Sequence, residues 1–441
     1  MVRGFFPLDE ELGLVPGRFT PRLQESLTRL GTWMPFRHAA EEREFFTGVA
    51  VSEATARRVT ERAGRAYVDV QTAQVADLER TLPLPSRGPE RLLLSADGAF
   101  VPLVSGEWTE VKTLAVGVIA EPVWDAKHAE RVVHTGELSY FSRRAEAADF
   151  THLALVETHR RGVETAGRVA AVTDGADWLQ GFMNYHRNDA TRILDFPHAS
   201  EHLAVAGRVV HGEATPAFAA WFEPLCHRLK HADPEQTLDE LRHLIKRAEV
   251  EALGSEAVTT LQAQLEYLEK RRAMITYAAF QQQGLPIGDG CVESANKLVV
   301  ETRLKQAGMR WAPEHVNPLV ALRNIACNDR WTEAWAQIND QQRTQARQRT
   351  SAQRAPTASS QAETSPVTRE VLLTAPELES AVSEPPRHKE TPAPKAKTPY
   401  RSAPDHPWRH SPIDRARSCQ LLAQKSDAHS GYNAKVLGRY T

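Results

Sequence analysis

Two segments separated by 77 residues repeat one pattern, and that pattern limits the folds open to this chain. In Ser95-Ala96-Asp97-Gly98-Ala99 and in Val172-Thr173-Asp174-Gly175-Ala176, an aspartate follows an apolar run and precedes a glycine. Short apolar runs bounded by turn residues read as buried strands. A carboxylate at the end of a buried strand needs something to neutralise it, because an unpaired buried charge is very costly. A third acid, Glu293, stands on a strongly helical stretch far downstream. Two strand-end aspartates and one helix-borne glutamate are what a two-metal phosphoryl-transfer site requires.

The order of elements around these acids gives the expected fold class. From residue 90 the pattern predicts strands over 91–96, 108–120 and 136–142, then a helix over 145–160. Strand 168–173, helix 177–186, strand 192–196 and helix 199–210 come next. Three strands followed by alternating helices and strands is the order of an RNase H-like α/β domain, a mixed five-stranded sheet with flanking helices. In that arrangement the first and fourth strands are neighbours, which sets Asp97 beside Asp174.

Upstream, residues 18–64 read as helical. Leu23, Leu27 and Leu30 form a stripe over 21–30, with Gly31 as the expected stop. A second helix over 36–46 and a short glycine-containing turn lead to Ser52, a good N-cap for a third helix over 53–63, which Gly64 is expected to end. Ala56, Val59 and Ala63 would face inward, and Arg57, Arg58 and Arg62 outward. This is the helix-turn-helix pattern, although a plain helical bundle with a solvated arginine face fits the same residues.

Downstream, residues 212–286 break the alternation with charge-rich helical sequence. They read as an all-helical insertion that packs, dimerises or offers a DNA-contacting platform. Beyond about residue 340, prolines cluster amid Ser, Thr, Gln and basic residues, which predicts disorder. The expected organisation is therefore a helical domain over 1–85 and an RNase H-like core over 90–211. The insertion over 212–286, closing helices over 287–338 and a tail over 339–441 complete it.

Bulk composition excludes some classes. At 441 residues, with 41% hydrophobic and 25% charged, the chain is of ordinary globular make-up with room for two or three domains. It has no apolar run of about 18 residues or more and no signal-peptide pattern, so neither a membrane partner nor secretion is expected. Cys226, Cys291, Cys327 and Cys419 are widely spaced, which points to a reducing, cytoplasmic setting without a zinc site. The net charge of −2 hides a basic stretch over 341–441 and an acidic remainder. Any DNA binding by the folded part would then use local patches and not a global positive field.

Each acid taken alone has an ordinary explanation. Asp-Gly after a strand is commonly a turn or helix cap, and Glu293 and Lys297 have the i,i+4 spacing of a surface ion pair. Together they suit hard divalent cations, Mg²⁺ or Mn²⁺, which take oxygen ligands. Asp97 would bridge two ions, with Asp174 and Glu293 each completing one side.

Four segments make the resemblance specific: Leu94-Ser95-Ala96-Asp97-Gly98-Ala99 with Glu107-Trp108-Thr109-Glu110-Val111-Lys112, and Val172-Thr173-Asp174-Gly175-Ala176-Asp177-Trp178. The others are Ile193-Leu194-Asp195-Phe196-Pro197-His198-Ala199-Ser200-Glu201-His202 and Gly290-Cys291-Val292-Glu293-Ser294-Ala295-Asn296. Over roughly three quarters of its length the chain resembles bacterial insertion-sequence transposases of the DDE class, closest to the ISKra-type family and related to Mutator-like enzymes. The resemblance implies that Asp97, Asp174 and Glu293 are the catalytic, metal-binding triad. It implies two Mg²⁺ or Mn²⁺ ions, double-stranded DNA (terminal inverted repeats and target DNA) as partner, a homodimer or larger assembly, and nucleoid association. Asp195 and His198 match an acid-x-x-histidine element of the Mutator-like relatives, in which the histidine meets DNA. His198 equally reads as a helix-start residue with local hydrogen bonds.

Around Glu293, the side chains Asn296, Lys297, Arg303 and Arg310 are candidates for phosphate contacts. Trp178 and Trp311 are candidates for stacking on an unpaired base, against the simpler reading of both as core residues. The expected activity is metal-dependent DNA cleavage and strand transfer. The alternative is a catalytically silent, transposase-derived DNA-binding protein acting as a repressor.

Overall fold

The computed structural model describes residues 19–126 and 130–354. The chain divides into two units between Ala352 and Gln353, and every element up to that point belongs to the first. The expected tail falls outside the described residues from 355 onward.

Three helices come first: α1 (Pro21–Trp33), α2 (Phe36–Thr47) and α3 (Glu53–Thr81). Thr20 caps α1 by accepting from the Leu23 N–H, and Ser52 caps α3 by accepting from the Thr55 N–H. Neither glycine ends its helix as expected. Gly31 lies inside α1 and Gly64 near the middle of a 29-residue α3. A Cβ on Gly31 would lie 2.3 Å from the Thr60 hydroxyl, and one on Gly64 would lie 2.2 Å from the Pro318 carbonyl. The absent side chains permit close helix approach, and tertiary packing offsets the modest helix propensity cost of glycine.

The sheet is built from β1 (Arg91–Pro102), β2 (Trp108–Ile119), β5 (Thr135–Arg143), β6 (Arg168–Thr173) and β7 (Thr191–Leu194), in the spatial order β5-β2-β1-β6-β7. β3 (Val123–Asp125) and β4 (Glu130–Val132) form a separate antiparallel ribbon. β1 pairs antiparallel with β2 and parallel with β6, and β6 pairs parallel with β7, so the five-stranded sheet is mixed. It is compatible with an RNase H-like fold. β1 runs past the expected end at 96, because β2 continues to pair with it as far as Pro102 opposite Trp108. Asp97 is thus inside a strand and not at its terminus.

Between the strands lie α4 (Ala147–Leu153), α5 (Leu155–Arg160) and α6 (Asp177–His186). The single helix expected over 145–160 is two, meeting at Ala154. After β7 come α7 (Phe196–His211), α8 (Pro216–His231), α9 (Pro234–Val250), α10 (Ser255–Lys270) and α11 (Tyr277–Gln282). A short α12 (Gly290–Ala295) passes directly into a π-helix (Asn296–Glu301) and α13 (Thr302–Leu304). α14 (Pro313–Cys327) and α15 (Trp331–Arg354) complete the described chain. α15 carries helix well into the stretch expected to be disordered from 339.

Side-chain alternation along β1 separates two cores. Leu92, Leu94 and Ala96 join Val169, Ala171, Phe150 and Phe182 beneath α4 and α6. Ala99 and Val101 point the other way, into a core shared by Leu27, Phe36, Val59, Val292, Val299 and Leu319. Helices α1–α3 are therefore built into the same core as the sheet. The boundary expected near residue 85 does not separate two packing units.

Candidate functional site

Strand register brings the two aspartates together. The last β1–β6 rung is Leu94 opposite Ala171, and Asp97 and Asp174 each lie three positions beyond it. The Ser95 hydroxyl donates to the Val172 carbonyl at 2.7 Å, which carries the alignment one step past that rung. By alternation both acids sit on the sheet face covered by α12 and the π-helix. Burial, and beyond it the charges of Asp174 and Glu110, push the Asp97 carboxyl above its usual range; hydrogen bonds from Gly98 and Asn296 oppose the rise.

The turn after Asp174 is held by the helices between α7 and α12. Gly175 has φ +78, and a Cβ there would lie 2.6 Å from the Arg271 Nε. Arg271 donates from Nε and Nη2 to the Gly175 carbonyl at 3.1 and 2.7 Å. The Tyr267 hydroxyl donates to the Asp174 carbonyl at 2.5 Å. Tyr267 is itself sandwiched, with His202 stacked at 3.8 Å and the Arg271 guanidinium 3.6 Å from its ring. The residues expected only as an insertion thus reach one of the candidate catalytic strands. Nothing in the sequence near Tyr267 or Arg271 marks that contact.

Glu293 lies on α12, which packs against β1 and β2. Its side chain is exposed and is paired with Lys297 at 2.6 Å, the ordinary surface arrangement that the spacing allowed. Asn296 is buried and does not face a phosphate: its Nδ2 donates to Asp97 Oδ2 at 2.8 Å. Among the described residues no group of three or more His, Cys, Asp or Glu side chains stands close enough to hold a metal ion. Asp97 and Asp174 suit a hard divalent cation, being adjacent oxygen donors whose mutual repulsion a cation would relieve. Glu293, as oriented, does not join them.

Two further acids belong to this region. Asp195 caps α7, accepting from the His198 N–H at 2.9 Å through Oδ2 and from the Asp289 N–H at 2.9 Å through Oδ1. The Asp195 and Asp289 carboxyls are also hydrogen-bonded to each other. Burial above all raises both, Asp195 to about 6 and Asp289 to about 9; the Asp195 charge adds to the rise of Asp289. Asp289 went unrecognised in the sequence, where its one signal is its place between Gly288 and Gly290, four residues before Glu293.

The candidate DNA-contacting residues divide sharply. Arg57, Arg58, Lys297, Arg310 and Arg62 are exposed, and Arg58 and Arg62 line a groove of about 470 Å³ with Phe19, Gln24, Ser52 and Thr55. His198 is half-buried, edge-on to His202 and Tyr267. Arg303 is corrected from a surface cation to a core residue. At 1% exposure its guanidinium lies 4.8 Å from the Phe36 ring and 5.3 Å from that of Trp311, and it donates to the Gly31 carbonyl. Trp311 is buried and donates to the Leu304 carbonyl, so it is not a base platform. Trp178 packs edge-on against Phe150 and Phe182 beneath Lys112, again as part of the core.

No helix among the described residues is long and apolar enough to cross a membrane. No family model matches the chain. It is 25% identical over 331 residues to a Streptococcus gallolyticus protein described as "UPF0236 protein in vanSb 3′ region". The match covers 73% of this chain and 66% of that relative, just under two thirds of its length.

Proposed function

We propose that this chain is a DDE-class transposase of the ISKra type, cutting and joining DNA at the ends of an insertion sequence. The observation that carries the reading is the register-matched pair Asp97 and Asp174 on one sheet face, beneath the helix that bears Glu293. Adjacent carboxylates, with the charge of Asp174 raising the proton affinity of Asp97, are the kind of donor set a hard cation needs. Bound Mg²⁺ or Mn²⁺ would supply Lewis-acid activation and charge neutralisation for phosphoryl transfer. The chemistry proposed is hydrolysis of a phosphodiester by water, releasing a 3′-hydroxyl, then in-line attack of that hydroxyl on a target phosphodiester with loss of the target's own 3′-oxygen.

The chain's own groups prepare the site for this. Asn296 orients Asp97 by donating to one of its oxygens, leaving the other for a cation. Tyr267 and Arg271 hold the backbone at Asp174 and Gly175 from outside the sheet, so the strand end does not have to order itself during the reaction. Arg57, Arg58, Arg62, Lys297 and Arg310, with His198 nearer the acids, are the proposed phosphate and DNA contacts, in a homodimer or larger assembly on the nucleoid. In this reading α1–α3 supply a helix-turn-helix for double-stranded DNA, and α8–α11 are the helical insertion.

The test is strand cleavage of DNA carrying the inverted repeats that flank the reading frame, with Mg²⁺ present. The expected result is nicking that Asp97→Asn, Asp174→Asn and Glu293→Gln each abolish. Retained DNA binding with no cleavage by the wild-type chain would favour the silent repressor instead, a reading to which the Glu293–Lys297 pairing lends some weight.

A further inference from the structure

The segment that delivers Glu293 is tied down at one place. The Phe196 N–H donates to the Ile287 carbonyl at 2.9 Å, and the Asp289 N–H donates to Asp195 Oδ1 at 2.9 Å. The Asp195 N–H in turn donates to the Thr173 carbonyl at 2.7 Å, one residue before Asp174. Residue 195 is thus the knot joining the end of β6, the start of α7 and the loop that enters α12. Asp195 is 4% exposed, and both of its carboxyl oxygens already accept from backbone N–H groups. Two ionised carboxylates cannot hydrogen-bond to each other; a carboxyl–carboxyl contact requires a proton between them.

We propose that Asp195 and Asp289 share one proton and act as a clasp that fixes the Glu293-bearing segment against the Asp174-bearing strand. Asp195 and Asp289 are positioning residues in this scheme, and their value to catalysis rests on the transposase reading. The clasp itself is a property of the fold and can be examined without any reaction. The titratable groups facing the pair are His198 from α7, Tyr277 from α11, Asp97 from β1, and Cys291 and Glu293 from α12. Of these, Asp97 and Glu293 act through their charges to hold the shared proton in place.

Opening the clasp exposes carboxyls to water, where they lose the proton at neutral pH. Each opening event above about pH 6 and below about pH 9 therefore releases one proton, and opening becomes easier as pH rises. The experiment is amide hydrogen exchange on the full chain, with protection factors corrected for intrinsic rates, over about pH 6.5–8.5. Wild type is expected to lose protection over residues 287–296 by up to about tenfold per pH unit, while β6 keeps its protection. Asp289→Asn, isosteric and unable to ionise, is expected to flatten that dependence. Asp195→Ala is expected to lower protection of 287–296 at least about tenfold at pH 7.

A pH-independent wild-type segment, or an Asp289→Asn variant with the wild-type slope, would overturn the clasp. The transposase reading fails separately, by absence of cleavage in the wild-type chain, and that outcome leaves the exchange result standing. Where cleavage is seen, the clasp predicts that its decline toward alkaline pH is shallower in Asp289→Asn than in wild type.

Discussion

Asp97 and Asp174 on one side, and Glu293 on the other, reach the same region by different physical means. The aspartates are set by sheet register. Four β1–β6 rungs and a Ser95 side-chain bond hold them at equivalent positions, and shifting either strand by one residue would turn its acid to the opposite face. Glu293 is set by a six-residue helix that changes to π geometry directly after Ala295, and its carboxylate is occupied by Lys297. π-Helical turns inside helices commonly occur at functional sites. Here Arg323 donates to the carbonyls of Leu298 and Val299, two of the groups that lie within that turn. One half of the site is built into the sheet, and the other half rests on side chains and an exposed rotamer.

The contrast between a register-set half and a rotamer-set half meets its most severe test at Asp97. Asp97→Asn should lower metal-dependent DNA cleavage by about 10³-fold or more, the scale of a lost catalytic charge stabiliser. Thermal stability should stay level or rise, since the substitution removes like-charge repulsion with Asp174 and Glu110. A strong loss of Tm would show that Asp97 is structural, and undiminished cleavage would remove it from the site.

Next in size is Gly64→Ala in α3. The added Cβ would meet the Pro318 carbonyl at 2.2 Å, and overpacking of this kind costs about 1–3 kcal/mol. Chemical denaturation should show one cooperative transition shifted as a whole, because α3 and α14 share a core with the sheet. Two separable transitions would restore an independent N-terminal domain.

Smaller and graded is the effect of pH. Asp195 and Asp289 have folded-state values raised to about 6 and about 9, above their unfolded value of 3.8. Between those limits the native state holds more protons than the unfolded state, so their contribution to stability is fullest below about pH 4 and declines as pH rises toward about 9. Denaturation midpoints measured across that range should show the decline in wild type and a weaker one in Asp289→Asn.

Smallest of all should be the effect of Lys297→Ala on stability, since exposed i,i+4 ion pairs contribute only about 0.3–0.5 kcal/mol. The variant is useful because it releases the rotamer-set half while leaving the register-set half untouched. Freeing Glu293 should tighten Mn²⁺ binding, read by calorimetry, if that carboxylate joins the aspartates when a cation arrives. Unchanged or weaker Mn²⁺ binding would detach Glu293 from the aspartate pair.

Local signals sufficed where structure follows from local chemistry. β6 and α6 span the residues their patterns predicted, 168–173 and 177–186, because an apolar run flanked by turn residues leaves few alternatives. Inward Ala56, Val59 and Ala63 on α3 followed from helical spacing in the same way. The failures share a cause. Gly31 and Gly64 look like helix stops until a partner helix is brought against them, and only the fold shows that contact. Arg303, read as a surface cation from its charge, is covered by Phe36, far from it in sequence, and by Trp311.

The chain's order of apolar runs, turns and caps was enough to require a mixed sheet in which Asp97 and Asp174 recur in equivalent settings 77 residues apart, since strand propensity and alternation act over neighbours. Folding in three dimensions was needed before Asn296 could hold Asp97, Tyr267 and Arg271 could brace the turn after Asp174, and Asp289 could meet Asp195. Those contacts join residues about 90 to 200 positions apart. Their hydrogen bonds and shifted proton affinities arise only after burial has removed the water that would otherwise satisfy each group.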